Sequence, residues 1–484
     1  MKKLNYLFLT LALPFVMVAC SDDDPSGTTS VTFENTSVTP AMVKAGPGAP
    51  SGMQIFSMFS SEDTDFLPYR FGGSADGAGM IPNGDGTFTL LVNHEDNFAV
   101  SRLTLDRNMK PVNGEYILNS TGGKWRLCSA TMATPEEHGF GPMFLTCGES
   151  GVESRTHALD PFAAPGLSSI SREVAGLGRW NAENAVPLSK DAYPGKTVVV
   201  IGDDDSGNTG GGNVAMYISN VVGDLNSGDL YFLRRTDLNS VENDITLNNT
   251  YNVEFVLIPN HASRTGADIN AFVEANNGIE FNRVEDVDYR RGSAANNREL
   301  YFTVTGNDEN NDTRTLYGRV YRLKLDANNP LVGTIEVILD GDVRPGVADK
   351  FQNPDNICVT ENYVYVQEDA NSYGDETHDA YVYQYNIATK EVKVVLELDH
   401  FRNNTALATT YGTNAAAGGD DRFGRWEYGA MLDISDMVGS ENTFIICLQP
   451  HTWRKNEFRN PDGGTIRVSE NQGSQLVIVK GLPR

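Results

Sequence analysis

Six short β-type runs, each closed by a polar and mostly acidic tip, constrain the fold of this chain more than any other feature. They are Thr87–Val92 before Asn93-His94-Glu95-Asp96, Met143–Thr146 before Cys147-Gly148-Glu149, and Thr197–Ile201 before Gly202-Asp203-Asp204. The other three are Leu300–Thr305 before Gly306-Asn307-Asp308, Tyr363–Val366 before Gln367-Glu368-Asp369, and Thr443–Leu448 before Gln449-Pro450-His451. Their starts lie 56, 54, 103, 63 and 80 residues apart, and the longest interval has room for a further strand such as Leu230–Leu233. Such steps suit one sheet of a radial array. Between the runs, alternating stretches meet a turn and return, as in Val320–Asp326 with Gly333–Leu339 and Tyr381–Ile387 with Glu391–Leu398.

A hidden strand followed by an outer hairpin, repeated, is the plan of a β-propeller. The fold expected is therefore all-β, a propeller of six blades with inserted loops and short helices; a pair of packed β-sheets would use the same local patterns. Apolar runs without alternation suit strands covered on both faces. The six runs are accordingly expected to line the centre and to send their tips to one mouth. Helical patterning is scarce, the best stretches being Asp268–Asn276 and Asn403–Ala417.

Charge narrows the function. The 484 residues carry 64 Asp and Glu against 38 Lys and Arg, a net charge of −26 that repels nucleic acid phosphates and anionic membrane surfaces. At the start, Met1-Lys2-Lys3 precedes an apolar stretch ending at Ala19, which reads as a signal peptide over residues 1–19. Met17-Val18-Ala19-Cys20 resembles a lipobox that would leave Cys20 lipid-modified, and Ser21-Asp22-Asp23-Asp24 resembles the export signal of Bacteroides-type surface lipoproteins. The expected location is the outer membrane, lipid-anchored and facing the exterior, with membrane contact only through the anchor. Residues 20–52 read as the lipidated cysteine and a flexible tether, and 53–484 as one domain. Cys128, Cys147, Cys358 and Cys447 are too irregularly spaced for a disulfide scaffold, which leaves room for a thiol with its own task.

The usual catalytic signatures are missing: there is no G-x-S-x-G elbow, no phosphate loop, no EF-hand loop, and no C-x-x-C or H-E-x-x-H zinc pattern. What remains is a set of acids and one thiol at strand ends: Glu95, Cys147, Glu149, Glu183, Asp204, Glu285, Asp355, Glu368, Asp369 and Glu427. Carboxylates gathered at one mouth repel each other unless cations neutralise them, and hard oxygen donors point to calcium or a trivalent ion. A thiolate among them calls for a softer or more strongly Lewis-acidic metal such as iron.

Taken in order, Asp76-Gly77, Leu91-Val92-Asn93-His94-Glu95, Leu145-Thr146-Cys147-Gly148-Glu149, Gly178-Arg179-Trp180-Asn181-Ala182-Glu183, Gly202-Asp203-Asp204, Arg283-Val284-Glu285-Asp286, Asn353-Pro354-Asp355-Asn356 and Leu448-Gln449-Pro450-His451 form a series. This series resembles the PhoX family of secreted bacterial alkaline phosphatases. The resemblance implies a propeller with Fe³⁺ and Ca²⁺ in a central site, acting on small phosphate monoesters as a monomer. It further implies Cys147 as the iron-bound thiolate, with Glu149, Glu183, Glu285, Asp355 and Glu427 as carboxylate ligands. Asn93 and Arg283 would hold phosphate oxygens. The chain departs from the family pattern at Gly148, Ala182 and Val284, where an acid, a histidine and a proline are usual. Two other readings remain: a calcium-binding propeller that binds a ligand or glycan without turnover, and a calcium-dependent lactonase or phytase-like propeller.

Overall fold

Strand pairing follows the hairpins read from the sequence and closes them into a ring. The computed structural model describes Met1 and residues 31–207, 210–307, 313–369 and 376–484. Strands β1 (Val43–Ala45) and β2 (Gln54–Ser60) come first in the chain. A four-stranded antiparallel sheet follows, made of β3 (Ala75–Pro82), β4 (Phe88–His94), β5 (Ala99–Leu105) and β6 (Pro111–Leu118). The next sheet contains β7 (Leu127–Ala133), β8 (Met143–Gly148) and β9 (His157–Leu159). The third group is β10 (Ala182–Pro187), β11 (Thr197–Asp203), β12 (Val214–Ser219), β13 (Asp229–Arg235) and β14 (Tyr251–Leu257). The fourth is β15 (Val284–Tyr289), β16 (Glu299–Val304), β17 (Arg319–Leu325) and β18 (Val332–Asp340). Pairing of β14 with β18 fuses these two groups into one nine-stranded sheet. The chain then forms β19 (Pro354–Val359), β20 (Tyr363–Glu368), β21 (Tyr381–Asn386) and β22 (Val392–Leu398), with β1 on their outer edge, and ends with β23 (Glu427–Asp433), β24 (Thr443–Gln449) and β25 (Gln475–Lys480), with β2 outermost.

The innermost strands β3, β7, β10, β15, β19 and β23 each pack against the next, and β23 returns to β3. The result is an all-β propeller around a central channel. The 103-residue interval holds no additional group: β12, β13, β14, the ten-residue helix Gly266–Ala275 and β15 fill it.

The six acid-tipped runs do not line the channel. They are β4, β8, β11, β16, β20 and β24, the second strand of each group. Second strands are covered on both faces by neighbouring sheets, so they read as continuous apolar runs. Innermost strands line a polar channel, as in Ala182-Glu183-Asn184 and Pro354-Asp355-Asn356, and so show no apolar run.

The ring is closed by residues from both ends of the described domain. β2 pairs with β25 in the sheet of β23 and β24, and β1 pairs with β22. For residues 31–52 this corrects the tether expected over 20–52; residues 20–30 lie outside the described residues. From Val31 onward the chain packs: Phe33 and Met42 are buried, and Asp63 accepts hydrogen bonds from Ser37 Oγ (2.7 Å) and Val38 N (2.8 Å). Its Ser, Thr, Pro and Gly content reflects tight turns along the sheet edges. The expected signal segment and Cys20 lie outside the described residues.

A chain beginning at Met53 would therefore lose β1 and the buried side chains of Phe33 and Met42. Its stability should fall by about 4 kcal/mol at roughly 2 kcal/mol per large buried side chain, read as a shift of the urea midpoint. Equal midpoints for chains starting at Val31 and Met53 would restore the tether.

Candidate metal centre

A repeated backbone irregularity builds the site. Each innermost strand loses register with its second strand within a few residues of its start: between Ala75 and Ala78, Leu127 and Ala130, Ala182 and Ala185, Val284 and Val287, Pro354 and Ile357, and Tyr428 and Met431. A β-bulge bends its strand and re-aims the side chain at that point. The residues at these breaks are Asp76, Cys128, Glu183, Glu285 and Asp355, with Glu427 just ahead of the sixth, and all six line one cavity of about 320 Å³. Polar neighbours satisfy the amides that the bulges free. Ala185 N donates to Asn184 Oδ1 (2.8 Å), Val287 N to Asp286 Oδ1 (2.7 Å), and Ile357 N to Asp286 Oδ2 (3.1 Å). At Gly77 and Gly429 the innermost strands nearly touch, since a Cβ would come within 2.5 Å of Cys128 O or Ala75 O respectively.

A second layer comes from tips just beyond the second strands. Glu95, Glu149, Asp204 and Asp369 line the same cavity, so these four acids expected at the mouth do meet there. With Asp96 the cavity carries ten carboxylates, against the four guanidinium groups of Arg126, Arg283, Arg425 and Arg454. Donor atoms fall into overlapping triads, each within 4.8 Å: Asp76–Cys128–Glu183, Glu95–Cys128–Glu149, Glu183–Glu285–Asp355 and Asp355–Asp369–Glu427. Arg283 is held between Asp204 (Nε to Oδ1, 2.7 Å) and Glu285 (Nη2 to Oε1, 2.5 Å), on a backbone with φ of 75°.

Burial and mutual repulsion dominate the electrostatics. Burial first, then the neighbouring acids, push the carboxyls of Asp76 and Glu183 well above the ordinary range. For Glu285 burial outweighs the lowering by Arg283, and Glu427 is raised by burial and Asp369. Glu149 is pushed up to about 8 by burial, Asp204 and Glu95. The Cys128 thiol is raised by burial and by Glu183 and Glu149, and its Sγ lies 3.2 Å from Glu149 Oε2. Asp76 Oδ1 is buried without a hydrogen-bond partner. A buried orphan oxygen among crowded acids and one thiol is a donor set that suits several cations, hard ones on the oxygens and one on sulfur.

Three expected site residues lie elsewhere. Cys147 is fully buried among Leu145, Leu177 and Trp180, with Sγ 3.3 Å from Thr156 Oγ1. It belongs to second strand β8, whose side chains face adjacent sheets, and Cys128 on innermost β7 supplies the thiol instead. Asn93 is buried, and its Nδ2 donates to Cys128 O and to Thr146 Oγ1 (2.8 Å), so it positions the backbone carrying the thiol. Glu368 is an anchor within its own sheet, accepting from Gln352 N (2.8 Å), Tyr381 N (2.9 Å) and Tyr383 OH (3.1 Å). Asp76, Asp96, Arg126, Cys128, Arg425, His451, Arg454 and Gln472 also line the cavity and were not among the site residues expected from the sequence. Cys128 sits in Arg126-Leu127-Cys128-Ser129, with no apolar run to mark a strand end.

The raised carboxyl pKa values carry a stability consequence. A group whose folded pKa lies above its unfolded value stabilises the fold at low pH, and that contribution disappears as pH rises through the folded value. In a chelator, the Glu149 contribution to the melting temperature should therefore be lost as pH rises from 4.5, its ordinary value, to about 8, its value in the fold. Glu149→Gln should flatten that slope. A melting temperature that climbs across this window would contradict the crowding described.

No protein-family model and no curated protein sequence matches this chain. Among solved structures, Pseudomonas fluorescens PhoX in complex with vanadate, a transition state analogue, superposes with a TM-score of 0.63 at 12% identity, covering 91% of this chain and 96% of that one. An α-L-arabinanase from Penicillium chrysogenum gives 0.39 at 10% identity over 88% and 98% of the two chains. A putative 6-phosphogluconolactonase from Bacteroides fragilis gives 0.32 at 10% identity over 66% and 70%. The likeness to PhoX extends over nearly the whole propeller, and at this identity it concerns the fold.

Proposed function

We propose that this protein is a metal-dependent phosphomonoesterase that releases phosphate from organic phosphate esters outside the cell, held at the outer membrane by lipid on Cys20. The observation that carries the reading is the convergence of Cys128 with the carboxylates of Asp76, Glu183, Glu285, Asp355 and Glu427 beside Arg283 at one channel mouth. The propeller's likeness to PhoX, solved with a transition state analogue, supports it.

Cys128 with Asp76 and Glu183, or with Glu95 and Glu149, offers donors suited to iron, and the triads Glu183–Glu285–Asp355 and Asp355–Asp369–Glu427 offer donors suited to calcium. Bound there, the cations would neutralise charge on the phosphoryl oxygens and supply an activated oxygen nucleophile. Arg283 engages Asp204 through Nε and Nη2 and Glu285 through Nη2, which leaves Nη1 to donate to a phosphoryl oxygen. Asn93 fixes the strand carrying Cys128. The departure at Gly148 has a steric reason, because a Cβ there would come 2.9 Å from Arg155 O and from Trp125 Cβ. With Ala182 it leaves the site without two side chains usual in the family, which favours as the second reading a calcium-binding propeller without turnover.

Protein supplied with iron and calcium should release p-nitrophenol from p-nitrophenyl phosphate at alkaline pH, and far more slowly from the corresponding diester. Cys128→Ser should lose iron and reduce turnover by about 100-fold, as expected when a metal's anchoring is broken, whereas Cys147→Ser should keep both. Glu285→Gln should lower metal content and rate together. Metal-replete protein that hydrolyses the ester no faster than Cys128→Ser would leave the binding-only reading.

A further inference from the structure

The cavity mouth carries guanidinium groups beyond the one assigned to the phosphoryl group, and their arrangement is regular. On three alternate innermost strands, β7, β15 and β23, an arginine stands two residues ahead of the ring residue: Arg126 before Cys128, Arg283 before Glu285 and Arg425 before Glu427. The other three strands carry Ser74, Asn181 and Asn353 at that position. Arg454 follows β24 and lines the same mouth from the wall that bears Arg425.

These arginines differ in where their counter-charges lie. The partners of Arg126 (Glu95, Asp96, Glu149) and of Arg283 (Asp204, Glu285) are themselves cavity carboxylates. Arg425 and Arg454 are instead held by Asp420 (2.9 Å) and Glu470 (3.0 Å), neither of which lines the cavity. Their acids thus orient the guanidiniums without placing negative charge on the cavity wall. Arg425 Nε is buried and makes no hydrogen bond, because the approach of Asp420 lies off its N–H direction.

We infer that Arg425 and Arg454 form a second anion subsite, and that the preferred substrate is a phosphate monoester bearing another anionic group, a carboxylate or a second phosphate, at the far end of a short body. The inference rests on the phosphomonoesterase reading for its reaction and on the placement of Asp420 and Glu470 for its geometry. Two arginines offer planar, charge-assisted donors to such a group. The attraction is partly exposed, so it weakens with added salt.

The test compares matched ligands on metal-loaded protein. Phenyl phosphate and 4-carboxyphenyl phosphate are the substrates, and phenylphosphonate and 4-carboxyphenylphosphonate are the ligands for calorimetric binding. The carboxylated ester should be favoured about 10-fold in kcat/KM, chiefly through KM, and the carboxylated phosphonate should bind tighter by a similar factor. In the double variant Arg425→Gln/Arg454→Gln the preference should shrink to within about two-fold, while Arg425→Lys retains part of it because it keeps charge but loses the fork. Hydrolysis of both esters without discrimination, or a double variant that keeps the preference, overturns the subsite and leaves the phosphatase reading intact. Arginine-dependent discrimination between the phosphonates without hydrolysis of either ester supports the subsite and overturns the phosphatase reading.

Discussion

Ten carboxylates and a thiol held around a cavity of 320 Å³ repel one another, and the rest of the architecture holds them there against that repulsion. Burial raises the pKa values of the ring acids and of Cys128. Without a cation, the cheapest response is to keep protons on them. In the function proposed, bound cations would replace those protons and turn a destabilising arrangement into a binding site, and Cys128 would act as a thiolate only under that influence.

The scaffold meets this demand with one device repeated around the channel. A bulge near the start of every innermost strand turns a single side chain toward the axis, while Asn184 and Asp286 take up the amides so released. Glycines at 77 and 429 let the strands approach closely enough for donors from neighbouring groups to lie within 4.8 Å. The ring must also stay closed, and here the N-terminal strands matter: β2 completes the last sheet and β1 covers an edge. A six-member ring opened at that seam would let the acids move apart, so the cluster of acids depends on closure.

The mouth divides by function. Its inner wall carries acids paired in part with Arg283, which bound cations would neutralise further, and one outer wall presents guanidiniums whose counter-ions stand behind them. Such polarity would let a chain of net charge −26 receive the anion proposed, because a local positive surface close to the site outweighs a screened overall field.

Much of this was legible in the sequence. The acid-tipped runs, their spacing and the hairpins between them indicated repeated strands with tips at one mouth, and Glu95, Glu149, Asp204 and Asp369 do meet there. Glu183, Glu285, Asp355 and Glu427 were also legible as cavity residues. Hydrophobic periodicity reports how a strand is covered, so it singled out second strands and passed over the polar innermost ones. That is why Cys147 drew attention in place of Cys128; residues 31–52 read as part of the 20–52 tether because Ser, Thr, Pro and Gly mark tight turns as well as linkers. Which thiol faces the channel, whether Asn93 touches a ligand or a backbone, and which arginines keep their counter-ions behind them depend on bulge position and sheet packing. Those are contacts between residues far apart in the chain, and only the closed ring brings them together.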